Sequence, residues 1–316
     1  MKRRVAVLLE KGKIKLIEEE VPCLNKEDVL IKVKACGICT GDLYGFLGYP
    51  VWFSLPSPLG HEPSGEVVET GTNVSKVSKG DHVTALGSPG FSDFIVVNEK
   101  YVEKVPSNIP FEHTIGEPLA CAVNAIRILS PKVGDNVAVV GTGFMGLLLV
   151  QALSRLGLSN LVGIDINEER LKLAKHYGAN IVLNPKKEDI VKEVLSVTEN
   201  IGCDIVIEAT GSPEGVSTAT KLVKQRGKLG IFSYHPNPVL VSLREWDAKG
   251  LEVVMTNPSR AEDMTKNLKI ATQMLSRGVF SLEQLVTHKW KLDEIQEAFE
   301  YASGKPSNYI KGVIVP

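Results

Sequence analysis

Two rhythms of apolar residues divide the chain. Up to about residue 105, apolar and polar positions alternate in the short runs VAVLLE, KIKLIEE, DVLIKVKACGI, SGEVVETG, DHVTAL and DFIVVN, with Gly, Asn, Asp and Pro between them. A period of two interrupted by turn residues marks strands with one buried face, so this part reads as an all-β domain, a partly open barrel. From Asn136 the pattern changes to β-rich runs alternating with helical ones: NVAVV, FMGLLLVQALSRLG, NLVGID, EERLKLAKHYG, ANIVLN, DIVKEVLSVTEN, CDIVIEATG, GVSTATKLVK, KLGIFS and LEVVMTN. That alternation predicts a doubly wound parallel sheet covered by helices on both faces. After about Asn257 come two helical patterns, AEDMTKNLKIATQMLSRG and LDEIQEAFEYASG, and a last strand-like YIKGVIVP. This tail is too short to fold alone and is expected to return to the first domain. The predicted division is 1–121 with 257–316 for the first domain and 122–256 for the second.

Bulk properties agree with this picture and narrow it. With 316 residues, 43% hydrophobic and 23% charged, the chain has material for two cores. The formal net charge of -1 supplies no field to attract nucleic acid or an anionic membrane, which leaves small-molecule chemistry. No run approaches the roughly 18 apolar residues of a membrane span, and Met-Lys-Arg-Arg leads into a strand pattern rather than a signal sequence, so a cytoplasmic location is expected. Five cysteines, Cys23, Cys36, Cys39, Cys121 and Cys203, are odd in number and scattered, which argues against a disulfide scaffold.

The run Gly141-Thr142-Gly143-Phe144-Met145-Gly146 follows a buried-looking strand and opens a helical pattern. In a G-x-G-x-x-G turn the first glycine makes the bend, the second admits a pyrophosphate and the third lets helix and sheet pack closely. Asp165 ends the next strand about 20 residues on, where a carboxylate binds both ribose hydroxyls and repels a 2′-phosphate. The expected cofactor is therefore NAD(H). As ordinary turn residues, the same glycines and a helix-capping Asp165 would need no ligand.

Cys39, in ACGICTGD, lies 22 residues before His61, in PLGHEPSGEV; Glu62 follows, and Glu117 sits in GEPLACAV. Thiolate, imidazole and carboxylate make a tetrahedral zinc shell with one open position, although each residue alone reads equally as a buried thiol or a core histidine.

The ordered set G-I-C-x-x-D, G-H-E, E-P-L and G-x-G-x-x-G resembles the zinc-containing medium-chain dehydrogenases, most closely their sorbitol (iditol) dehydrogenase-like branch. The resemblance implies a GroES-like β-barrel catalytic domain joined to a Rossmann domain. It further implies a zinc- and NAD(H)-dependent oxidation of an alcohol, polyol or sugar, and a homodimer or homotetramer with LEVVMTN as a candidate interface. By resemblance Cys39 and His61 bind the catalytic zinc, Glu62 and Glu117 share the remaining positions directly or through water, and Asp42 orients His61. Ala209 and Thr210 then lie near the nicotinamide, and Lys311 matches a basic position facing the cofactor phosphate, or is a solvated lysine.

Two departures from the pattern follow. The stretch ALGSPGFSDF lacks the four cysteines that bind a structural zinc in many relatives, so one zinc per chain is expected, with the other four cysteines as buried thiols. Gly41 and Tyr44 stand where relatives carry the Ser or Thr and the His of a proton relay. Thr40, Tyr44 or water takes over that role, while Tyr44, Trp52 and Phe53 are candidates to line the pocket or pack the barrel. Two other readings compete: a zinc-free, NADPH-dependent quinone-type reductase on the same frame, and a non-catalytic dinucleotide-binding protein.

Overall fold

A computed structural model describes residues 1–316. The chain begins with β1 (Lys2–Glu10), β2 (Lys13–Glu20), β3 (Asp28–Gly37), α1 (Thr40–Phe46), β4 (Ser57–Pro58), β5 (Pro63–Thr70), β6 (His82–Ala85), β7 (Phe94–Asn98), β8 (Val102–Lys104) and α2 (Gly116–Leu129). There follow β9 (Asn136–Val140), α3 (Phe144–Leu153), β10 (Asn160–Ile164), α4 (Glu168–His176), β11 (Ile181–Leu183), α5 (Ile190–Val197) and β12 (Cys203–Glu208). Next are α6 (Pro213–Leu222), β13 (Val223–Ile231), α7 (Leu243–Lys249) and β14 (Glu252–Met255). The chain closes with α8 (Met264–Ser276), β15 (Val286–Lys291), α9 (Ile295–Ser303) and β16 (Lys311–Val315).

These elements form two compact units, Met1–Ala120 with Thr265–Pro316, and Cys121–Met264. The crossing back lies at Thr265 rather than residue 257, because Asn124 Nδ2 donates to the carbonyls of Thr256 and Asn257 and ties that segment to the second unit. No helix is long and apolar enough to cross a membrane.

In the first unit a three-stranded sheet, β2-β1-β4, accompanies a seven-stranded one ordered β15-β16-β3-β5-β6-β8, with β7 also on β3. β3 is the hub. Its first half pairs with β7, most of its length pairs with β5, and its end pairs with β16. Phe91, Phe299, Ile31, Ile95 and Leu59 fill the core beneath.

The second unit is a parallel sheet ordered β11-β10-β9-β12-β13-β14. Its central strands NVAVV and CDIVIE are apolar almost throughout because helices cover both faces. The strand order reverses between β10 and β12 on either side of β9, and ligands of such sheets bind beyond the carboxyl ends at that switch point.

Candidate metal centre and dinucleotide cradle

Strand register assembles the metal centre. Cys36 on β3 faces Pro63 on β5, so Cys39, just past the end of β3, meets His61 and Glu62, just before the start of β5. On the other side of β3, Ile314 faces Cys36 and Val313 faces Gly37, and the ladder continues as Ile38 N donates to Gly312 O. That register carries Lys311 to the same end of the sheet. Gly60, in the left-handed region at φ +89, turns the chain immediately before His61. Gly37 leaves room for the carboxylate: a Cβ there would sit 1.9 Å from Glu62 Oε2.

The donor atoms of Cys39, His61 and Glu62 all lie within 4.8 Å of one another. Zinc binds sulfur at about 2.3 Å and imidazole nitrogen at about 2.0 Å, so closing by roughly an ångström brings the three into a tetrahedral shell. Cys39 is also the N-cap of α1, its sulfur accepting the Gly41 N–H at 3.4 Å. One turn into α1, the buried Asp42 places Oδ1 3.5 Å from His61 Nδ1, which leaves the other ring nitrogen for a metal. The buried Asp42 Oδ2 makes no hydrogen bond, and Glu62 Oε2 faces the Lys311 ammonium 2.6 Å away. A buried acceptor left over in this way, beside a thiol, an imidazole and a second carboxylate, fits a cation.

Burial opposes charge on His61, but Asp42 and Cys39 outweigh it and hold the imidazole well above its ordinary value. Lys311 follows the same logic: burial lowers it, and Glu62 and Cys39 more than compensate, holding the ammonium charged. Its Nζ donates to Glu62 Oε1 and to Ile38 O, both at 2.9 Å. Lys311 is therefore not a solvated lysine. The side chain is spent on a carboxylate of the metal centre, because the β3–β16 register points it into the first unit.

Glu117 opens α2, whose first N–H groups are organised by Thr84: Gly116 N donates to Thr84 Oγ1 at 2.8 Å. It is half-buried and stands outside the three-residue cluster. Thr40 is exposed, whereas Tyr44 is buried in α1 with its ring edge-on to Tyr49. Cys36 and Cys203 are inert thiols, burial pushing Cys36 well up and Cys203 up to about 12. Cys121 is buried too, but Cys23 is exposed, since it lies in the turn after β2 rather than in a core.

The dinucleotide cradle is built in the second unit. Gly141, at φ +97, would drive a Cβ to 2.8 Å from Ala209 C and O and from Thr210 Cγ2, while a Cβ on Gly146 would come 1.9 Å from Gly141 O. Gly143 is different: nothing lies within 4 Å of its Cβ position, and it caps α3 with no side-chain hydrogen bond. Open space in front of the N-terminus of α3 fits a pyrophosphate. Phe144 and Met145 begin that helix. Asp165 is buried at the end of β10, accepting from Thr142 N at 2.8 Å and from Asn167 N at 2.9 Å, so the carboxylate is fixed against the glycine turn.

Glu208 was visible in the sequence only as part of EATG, and its role emerges from the fold. Fully buried, it accepts from Thr210 N, Thr210 Oγ1 and Gly211 N on Oε1, and from Ser233 Oγ and His235 on Oε2. One carboxylate thus joins the turns after β12 and β13 beside Ala209 and Thr210. Ser233 and His235 carry no motif that a sequence reading isolates. For Lys311 a signal existed, a single lysine inside the apolar run YIKGVIVP.

The sequence matches the alcohol dehydrogenase GroES-like domain over residues 25–107 and the zinc-binding dehydrogenase domain over residues 145–273. It is 30% identical to the zinc-type alcohol dehydrogenase-like protein YdjJ of Escherichia coli (strain K12), with 99% of each chain covered. The chain belongs to the zinc-containing medium-chain dehydrogenase/reductase superfamily. This oxidoreductase is also 30% identical to (R,R)-butanediol dehydrogenase of Bacillus subtilis over 96% of both chains. The crystal structure of 2R,3R-butanediol dehydrogenase from Bacillus subtilis superimposes on the dehydrogenase with a TM-score of 0.87, at 28% identity and 99% coverage of both. L-Threonine 3-dehydrogenase of Pyrococcus furiosus is 29% identical, with 90% of each chain covered. By their names these relatives act on butanediol and threonine, so they mark the superfamily and not its sorbitol branch.

Proposed function

We propose that this oxidoreductase is a cytoplasmic, zinc-dependent, NAD(H)-linked dehydrogenase of a secondary alcohol, polyol or sugar, with one zinc per chain. The observation that carries the reading is the convergence of Cys39, His61 and Glu62 at one sheet end with Asp42 behind His61. Cys39 and His61 hold the zinc, Glu62 is the nearer carboxylate, and Glu117 is the other acidic candidate. When bound, zinc supplies Lewis acidity that lowers the pKa of an alcohol and so prepares hydride transfer. Asp42 keeps His61 in the tautomer whose free nitrogen faces the metal.

On the cofactor side, Gly143 and the α3 N-terminus take the pyrophosphate and Asp165 takes the ribose hydroxyls. Ala209 and Thr210, braced by Glu208, form the wall next to the glycine turn. The zinc-free reductase and the purely binding protein both leave the cysteine, the histidine and the unpaired buried Asp42 Oδ2 without a purpose. β14 ends the parallel sheet with an open edge, which supports a homodimer or homotetramer joined there.

The deciding experiment is elemental analysis combined with a screen of polyols, sugars, threonine and secondary alcohols against NAD and NADP. We expect one zinc per chain and turnover with NAD that Cys39→Ser and His61→Ala both abolish. Near wild-type turnover in either variant, or none in the zinc-loaded protein with any of these alcohols, would overturn the reading.

A further inference from the structure

We infer that Trp52 is a specificity-determining residue of the metal centre, a fixed indole platform on which the C–H face of a polyol's carbon chain packs. This rests on the alcohol dehydrogenase reading above. The ring of Trp52 stands edge-on to the ring of His61, centroids 5.7 Å apart at 80°. Its place is set by α1, the helix that Cys39 caps. Gly41 and Gly45, one turn apart, leave a bare strip on that helix. A Cβ on Gly41 would come 2.1 Å from Trp52 Cη2, and one on Gly45 would come 2.5 Å from Phe53 Cζ. Two aromatic rings are thus seated on two glycines, and they also brace each other edge-to-face at 5.7 Å.

Although it is seated in this way, Trp52 is 62% exposed. A large apolar ring held in solvent beside a cluster of polar metal donors gains nothing for the core. Its burial is left for a ligand. A flat π face suits C–H groups of a chain bearing hydroxyls on its other side, and a short alcohol leaves most of it uncovered. The same packing keeps position 41 without a side chain, so no hydroxyl can stand there while the indole is in place.

Two measurements test this. In a Trp246→Phe/Trp290→Phe background Trp52 is the one remaining tryptophan of three. Co²⁺ added to that protein is expected to quench its emission by more than half, and to do nothing after Cys39→Ser. In zinc-loaded enzyme with the other tryptophans intact, Trp52→Ala should lower the kcat/KM ratio of sorbitol to 2-propanol about tenfold, with zinc still bound and with Trp52→Phe recovering part of the loss. Gly41→Ala, by displacing the ring, should reproduce the loss, and adding it to Trp52→Ala should cost little more. An unchanged ratio, strictly additive losses, or unquenched emission with Co²⁺ bound overturns the inference. If wild type oxidises neither alcohol, that result counts against the dehydrogenase reading, and the platform is then decided by whether sorbitol shifts the Trp52 emission.

Discussion

Lys311 Nζ lies 2.6 Å from Glu62 Oε2, with only 5% and 2% of the two side chains exposed. Removing one partner of such a pair strands a buried charge, at a typical cost of about 3–5 kcal/mol. Lys311→Met is therefore expected to lower metal-free stability by about that amount in urea unfolding. Glu62, no longer neutralised, becomes a better metal donor, so zinc should raise the Tm of Lys311→Met more than that of wild type. Equal shifts would place Glu62 outside the metal shell.

On the proposed reading zinc competes with a proton on His61, whose affinity for that proton Asp42 and Cys39 raise against the effect of burial. In the metal-free protein the charged imidazole contributes stability that is complete below its unfolded pKa of about 6.5 and is lost as pH rises through the higher folded value. Zinc binding runs the other way, strengthening over the same rise and releasing a proton. Calorimetry in two buffers of different ionisation enthalpy checks this. Asp42→Asn should weaken zinc by roughly 10- to 100-fold and move the pH dependence downward.

Gly143 gives a test that separates ligand from fold. Its φ of -70 suits any residue and its Cβ direction is empty, so Gly143→Ala should leave Tm nearly unchanged while weakening NADH binding, read by nicotinamide fluorescence. Asp165→Ser should narrow the preference for NAD over NADP, because a ribose acceptor and a repulsive charge disappear together. An unchanged cofactor ratio would move the ribose contact elsewhere.

Proton transfer tests the altered relay. Tyr44 is buried in α1 and Thr40 is exposed. A phenol with an ordinary pKa near 10 is a poor base at neutral pH. Tyr44→Phe and Thr40→Val should each lower turnover far less than the 10²- to 10⁴-fold loss of a general base. A thousandfold drop in Tyr44→Phe, relieved at high pH with KM constant, would make the tyrosine the relay.

Much of the architecture was readable because burial imposes its period on the sequence. The β-rich runs before residue 105 became β1, β2, β3, β5, β6 and β7, and the alternating region became the parallel sheet. Helix α1 was hidden because TGDLYGF holds two glycines and an aspartate, poor helix formers, and forms where Cys39 caps it and tertiary packing covers it. The helical pattern GVSTATKLVK ran two residues too far: Val223 already pairs with Cys203, since a β-branched residue buried beside β12 gains more in the sheet. The residues that cluster as candidate metal donors, Cys39, His61 and Glu62, were nameable from residue type and order. Their counter-ion was not, because the Glu62–Lys311 contact is a product of β3 pairing with β16, and pairing across such a separation leaves no local trace in composition.

That separation also orders the events of biosynthesis. Cys39, His61 and Glu62 emerge together, but Lys311 is made 249 residues after Glu62, when the whole second unit has already been translated. At about 5–20 residues per second, the carboxylate waits roughly 12–50 s for its cation. Through that interval β3 has no β16 beside it, and the three donors sit on a sheet with an unfinished edge. Closing that edge is the step that fixes Glu62, so the candidate metal centre reaches its final electrostatic state late in folding, from the opposite end of the chain.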